Sequence, residues 1–231
     1  MKSAIAGLAA FRGLPRGPLA AIAAHAHAVS AARNQAVVRA GQVLPGVLAL
    51  LRGSLKVALP QGGRVLRLLR PGESFGEANV LLGAPSQLDV VALTESTVGV
   101  LPAEALLGRT ENDAGFALGM ARTLAAQVLA AIVGLEENVS RHGAQRLASY
   151  LESLAPSRGG GACTVSLPAS KTVIAALLGI EKETLSRLLH ELSARQLIRV
   201  SGRQIAILDR AGLARSMRPA AAPARGSPRR G

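Results

Sequence analysis

Ser170-Lys-Thr-Val-Ile-Ala-Ala-Leu-Leu-Gly179-Ile-Glu-Lys-Glu-Thr-Leu-Ser-Arg-Leu-Leu-His-Glu-Leu192 decides the fold. It reads as two short helices joined at Gly179. The first places Val173, Ile174, Leu177 and Leu178 at helical spacing. Ser170 precedes it, and its hydroxyl suits an N-cap. Gly179, without a Cβ, suits a turn that needs positive φ. The second helix sets Leu185, Leu188, Leu189 and Leu192 on one face and Lys182, Glu183, Ser186 and Arg187 on the other. That is the pattern of a helix-turn-helix, whose second helix offers its first polar residues to base edges in the major groove.

The surrounding charge agrees. The chain has 231 residues, with 27 Lys and Arg against 14 acidic residues and a net charge of +13. From Ala144 onward there are 14 basic and 5 acidic residues, a net of +9, so most of the excess accompanies the helix-turn-helix. A polyanion partner is expected. Trp is absent and aromatics are 2%, which argues against stacking platforms for single strands. The single cysteine, Cys163, excludes a disulfide framework and an iron–sulfur cluster held by cysteines of one chain. A reducing cytoplasm is the expected compartment. No apolar run approaches the ~20 residues of a membrane span. Met1–Ala10 is faintly like a signal peptide, but Arg12 and Arg16 interrupt it.

Residues 1–30 read as Ala-rich helix broken near Leu14–Pro18. Short β-prone runs follow at 35–39, 47–51, 54–59, 65–69, 90–93 and 97–101, with turns at Arg52-Gly53 and Gln61-Gly62-Gly63. They predict a small sandwich or barrel. A long helical stretch covers 113–154. In it Leu118, Ala121, Ala125, Val128, Ile132, Leu135 and Val139 alternate three and four residues apart, a coiled-coil seam. Phe116, Met120 and Leu124 lie off that seam and are free to pack on the β-domain. Two apolar faces predict one contact within the chain and one across a homodimer. After the helix-turn-helix, 197–200 and 204–208 form a hairpin around Ser201-Gly202.

The order of β-roll, long helix and winged helix resembles the Crp/Fnr transcription regulators over residues 8–213. The resemblance rests on Pro71-Gly-Glu-Ser-Phe-Gly-Glu77, Val90-Val-Ala-Leu-Thr-Glu95 and the block 167–208. Leu167-Pro-Ala-Ser-Lys171 and Glu183–Leu192 look most like the Dnr branch, associated with nitric oxide and denitrification. The fold implied is α+β: a cyclic-nucleotide-binding-like β-roll at 1–112, a dimerisation helix at 113–143, a Crp-type winged helix-turn-helix at 144–213, and a basic disordered tail at 214–231.

Within that fold Glu183, Ser186 and Arg187 share one helix face. Arg187 can pair with guanine and Glu183 can accept from cytosine. Glu-x-x-Ser-Arg in Fnr-type regulators implies a TTGAT-like palindrome in double-stranded DNA. Lys182 and Thr184 stand beside this face. Ser170, Lys171 and Thr172 suit phosphates at a helix start. RNA polymerase is the further partner the resemblance implies.

The cyclic-nucleotide binders of the family follow Gly-Glu, ten residues on, with Arg-Ser or Arg-Thr. Here Gly76-Glu77 are followed by Gln87-Leu88, then Asp89. A cyclic phosphate needs a cation or several donors, and these positions supply none. Cyclic AMP is therefore not expected as the effector. The Dnr-like branch includes haem-dependent nitric oxide sensors, so haem is a candidate cofactor, with His25 or His27 as axial ligand. No other metal site is expected. Two alternatives stay open: a DNA-binding regulator whose sensor domain takes no ligand, and a small β-barrel enzyme. Against the enzyme, none of the four histidines falls between Val37 and Leu101, and no phosphate-cradling glycine loop occurs.

Overall fold

The computed structural model describes residues 16–61, 63–140, 142–156 and 161–216. A helix, α1 (Arg16–Ala24), leads into eight strands. They are β1 (His27–Ala31), β2 (Ala36–Val38), β3 (Gly46–Arg52), β4 (Leu55–Ala58), β5 (Val65–Leu69), β6 (Ser74–Phe75), β7 (Asp89–Ala92) and β8 (Ser96–Pro102). Two antiparallel sheets result, in the orders β1-β8-β3-β6 and β2-β7-β4-β5. The six expected runs all appear as strands. The segment from His27 to Ser30, expected in the N-terminal helix, is strand instead. Residues 1–15 of that expected helix, with the signal-like Met1–Ala10, lie outside the described residues.

The β-roll core gathers Val47, Leu50, Leu55, Leu69, Val90, Val98 and Leu101, all nearly inaccessible. β3 is buried along most of its length. Two helices lie against it: α2 (Glu77–Leu82) and α3 (Ala103–Asn112). Gly46 permits the tight β3–β8 approach, since a Cβ there would stand 1.8 Å from the Leu101 carbonyl oxygen.

Asp113 caps the long helix α4 (Ala114–Ser140), its Oδ1 accepting from Phe116 N at 2.9 Å. Phe116 and Met120 are buried in the β-roll core, the intramolecular contact expected of them. The helical stretch does not run unbroken to Leu154. A new helix, α5 (Gly143–Leu154), starts at His142, an extended N-cap whose N–H donates to Gln145 Oε1 at 3.0 Å.

The C-terminal unit then adds β9 (Cys163–Ser166), α6 (Lys171–Leu178), α7 (Lys182–Ala194), β10 (Ile198–Ser201), β11 (Gln204–Ile207) and α8 (Arg210–Ser216). Its sheet has the order β10-β11-β9. α8 corrects the expected tail, because residues 214–216 are helical and Leu213 is fully buried. Residues 217–231 lie outside the described residues. Leu147, Leu151, Ile174, Leu185, Ile198, Ile205 and Leu213 form a second core. Leu68 and Leu93 of the β-roll pack against it, so the two units touch. No helix among the described residues is long and apolar enough to cross a membrane.

Candidate nucleic-acid interface

The turn between α6 and α7 is built as its residues dictate. Ser170 Oγ accepts from Val173 N at 3.4 Å, an N-cap. Gly179 takes φ of 62° at the C-cap of α6. Arg146 of α5 donates to the Leu178 carbonyl at 2.8 Å, satisfying an oxygen the helix end leaves free. Leu185, Leu188, Leu189 and Leu192 are buried, which fixes the rotation of α7. Lys182, Glu183, Ser186 and Arg187 are thereby turned to solvent on one face, while Thr184 is half-buried beside them. Thr172 is exposed and Lys171 half-buried at the start of α6.

A cleft of about 460 Å³ lies between α7 and the β10–β11 hairpin. Lys171, Ser186, His190, Gln196 and Arg199 line it. Arg199 and Gln196 were not singled out in the sequence. The signal for Arg199 was the alternation Ile198-Arg199-Val200, which puts it on the open face of β10. Arg203, at the hairpin turn, is spent on structure: its Nε and Nη2 donate to the Leu167 carbonyl at 3.0 and 2.7 Å.

Gly76 has φ of 98°, and a Cβ there would come within 2.5 Å of Leu44 Cδ1. Glu77 is buried and accepts from the Ser74 hydroxyl. The Leu88 backbone bonds the Ser86 hydroxyl from both its N–H and its carbonyl. Asp89 accepts from Ala40 N at 2.9 Å, and Gln87 is exposed. Gly76 and Glu77 thus hold a turn and a buried hydrogen bond.

A separate recess of about 330 Å³ lies between α1 and α3, lined by Ala21, Ile22, His25, Ala105, Gly108, Arg109 and Asn112. His27 sits apart from it on β1, opposite Val100. Arg109 Nη2 pairs with Asp113 at 3.1 Å, while its buried Nε has no partner. Among the described residues no three His, Cys, Asp or Glu side chains gather as a metal site.

Along α4 the proposed seam is open. Leu118, Val128 and Ile132 are more than half exposed, and Ala121 and Ala125 are exposed with them. Leu129 is also exposed, an apolar residue the seam omitted. The side chains of Leu135 and Val139 lie outside the described residues.

Comparison with known proteins adds two family matches. Residues 28–113 match a cyclic nucleotide-binding domain, and residues 145–216 match a Crp-like helix-turn-helix domain. A CRP-like cAMP-activated global transcriptional regulator of Mycobacterium tuberculosis is 25% identical over 94% of this chain and 100% of its own length. The nitrogen fixation regulation protein FixK of Rhizobium meliloti is 35% identical over 55% of this chain and 56% of its own. FixK2 from Bradyrhizobium japonicum has the same fold, with a TM-score of 0.72 over 85% of this chain and 99% of that one, at 23% identity. A putative cyclic nucleotide binding protein from Ruegeria pomeroyi superposes with a TM-score of 0.65 at 26% identity, over 94% and 96% of the two chains.

Proposed function

The chain belongs to the Crp/Fnr family of DNA-binding transcription regulators, and on that premise we propose that it works in the cytoplasm as a homodimer on a TTGAT-like palindrome. The observation that carries this reading is the rotation of α7, which presents Lys182, Glu183, Ser186 and Arg187 together while four leucines anchor its back. Arg187 reads guanine and Glu183 reads cytosine. Ser170, Lys171, Thr172 and Arg199 hold the phosphates that set the register. The DNA-bound dimer then acts on transcription through RNA polymerase, with no catalysis of its own. Fluorescence anisotropy on a palindromic duplex tests this, with half-site centres one helical turn apart. Equal affinity for consensus and scrambled duplexes at physiological salt would defeat it.

The exposed stripe of α4 supports the dimer. Leu118, Ala121, Ala125, Val128, Leu129 and Ile132 are exposed along it, apolar side chains that a second copy of the helix can cover.

The effector of this reading is not cyclic AMP. Although one relative is named as cAMP-activated, Gln87 and Leu88 here offer a phosphate neither charge nor hydroxyl. The recess at His25 suits a haem better in its chemistry. His25 would offer an imidazole to hold the group, Ile22 and the alanines would give it apolar walls, and Arg109, already paired with Asp113, would face its carboxylates. At about 330 Å³ the recess is smaller than a whole haem and would take only part of one. A bound haem supplies an iron that can take nitric oxide.

A further inference from the structure

A cleft of about 540 Å³ separates the β4–β5 turn of the sensor domain from the helix-turn-helix. Gly63 and Arg64 line one side, and Thr172, Glu181, Lys182 and Thr184 line the other. The two sides also touch directly beside the cleft. β5 packs on α6. Leu68 enters the edge of the winged-domain core. Arg70 lies close enough to Tyr150 of α5 to act on its ionisation.

Arg64 is exposed at this cleft and makes no ion pair among the described residues. Arg67, on the same hairpin, is occupied, donating to the Ser74 carbonyl at 2.7 Å. Across the cleft stand Thr172, which holds a phosphate if the reading above holds, and Lys182 of the face that α7 presents. Two cations then flank one opening against the single carboxylate of Glu181. This opening lies beside the starts of α6 and α7, where that reading puts the duplex, and its charge favours a polyanion.

We propose that Arg64 is a DNA-phosphate contact supplied by the sensor domain. The inference rests on the DNA-binding reading. It adds that the β-roll is itself part of the nucleic-acid surface, so that moving the roll against the winged domain changes affinity directly. A phosphate contact carries no sequence information, so its loss weakens all duplexes alike.

The test uses the full chain with Arg64→Ala and Arg64→Lys, titrated on consensus and scrambled duplexes across a range of salt. For Arg64→Ala the slope of log affinity against log salt should shrink by about one for each protomer bound, equally on both duplexes. Arg64→Lys should restore it. Thermal midpoints matching the parent establish that both variants fold. An unchanged slope in Arg64→Ala overturns the proposal, as does a lysine variant that folds but fails to restore the slope. The scrambled duplex reads Arg64 even if the parent fails to prefer the palindrome, so the two failures remain distinguishable.

Discussion

At the scale of single residues, two side chains carry sharp expectations. Arg187 lies 3.9 Å from Glu191, and both are largely exposed. Such a pair is worth about 0–1 kcal/mol, less than the ~1–3 kcal/mol of discrimination in a bidentate guanine contact. The guanidinium therefore leaves Glu191 for the base at little cost. Arg187→Ala should weaken operator binding by about 1–3 kcal/mol and relax selection at one base pair, seen by titrating duplexes changed at that position. Tyr150 is the second. Burial pushes its phenol up to about 12 from the usual 10, with Arg70 pulling the other way, and its buried hydroxyl has no partner. The folded state holds the protonated phenol more tightly than the unfolded chain does. That stability is complete below pH 10 and is lost as the pH rises through 12. Tyr150→Phe should keep the fold at neutral pH and remove this alkaline loss, read as thermal midpoints from neutral pH up to about 12 against the parent. An alkaline loss of equal size in both proteins would assign the effect to other groups.

At the scale of elements, the exposed stripe of α4 makes the clearest claim. Ile132 and Val128 stand one turn apart on a helix whose foot, Phe116 and Met120, is locked into the β-roll. Ile132→Glu sets a carboxylate against its copy in a two-stranded seam. Sedimentation should show the dimer moving toward monomer. Operator affinity should fall with it, because one half-site binds without its partner. A dimer of unchanged strength would mean the helices meet elsewhere. The elements differ in how far sequence revealed them. The helix-turn-helix was readable because its leucines recur at one period and Gly179 marks the turn. The strand 65–69 was readable from β-branched and leucine content between turns. β1 was not, because His27-Ala-Val-Ser-Ala31 is short, rich in small residues and almost wholly exposed at a sheet edge. α3 stands out little in the sequence, because Ala-Glu-Ala-Leu-Leu is good helix sequence but the helix buries only Leu106 and so shows no strong apolar period. The break at His142 was masked by helical periodicity continuing to Leu154. Its cause is a cap made by His142 and Gln145, a pairing too weak in sequence to stand out.

At the scale of the molecule, the haem reading of the recess requires a path from the sensor domain to the DNA-binding face. The two domains are legible in the sequence but the path between them is not, because that path depends on side chains brought together by the fold. Arg109 joins two of them: it lines the recess beside His25, and it pairs with Asp113 at 3.1 Å. Asp113 in turn caps α4 through Phe116 N. A ligand that engages Arg109 therefore acts on the carboxylate that starts α4. It shifts DNA affinity only if it binds one arrangement of that helix more tightly than another. Cyclic AMP at millimolar concentration should give no binding heat, since Glu77 is committed to Ser74 and Gln87 carries no charge. Protein purified from haem-replete cells should carry a Soret band that shifts with nitric oxide, and operator affinity should change with that shift. His25→Ala should lose the band, whereas His27→Ala should keep it, because His27 lies outside the recess. Arg109→Ala should keep the band but lose the link between nitric oxide and DNA affinity. Cyclic AMP heat with a measurable affinity would return Gly76 and Glu77 to the effector site. A colourless protein whose operator affinity ignores haem and nitric oxide would remove this ligand from the account, and the DNA-binding surface would stand without it.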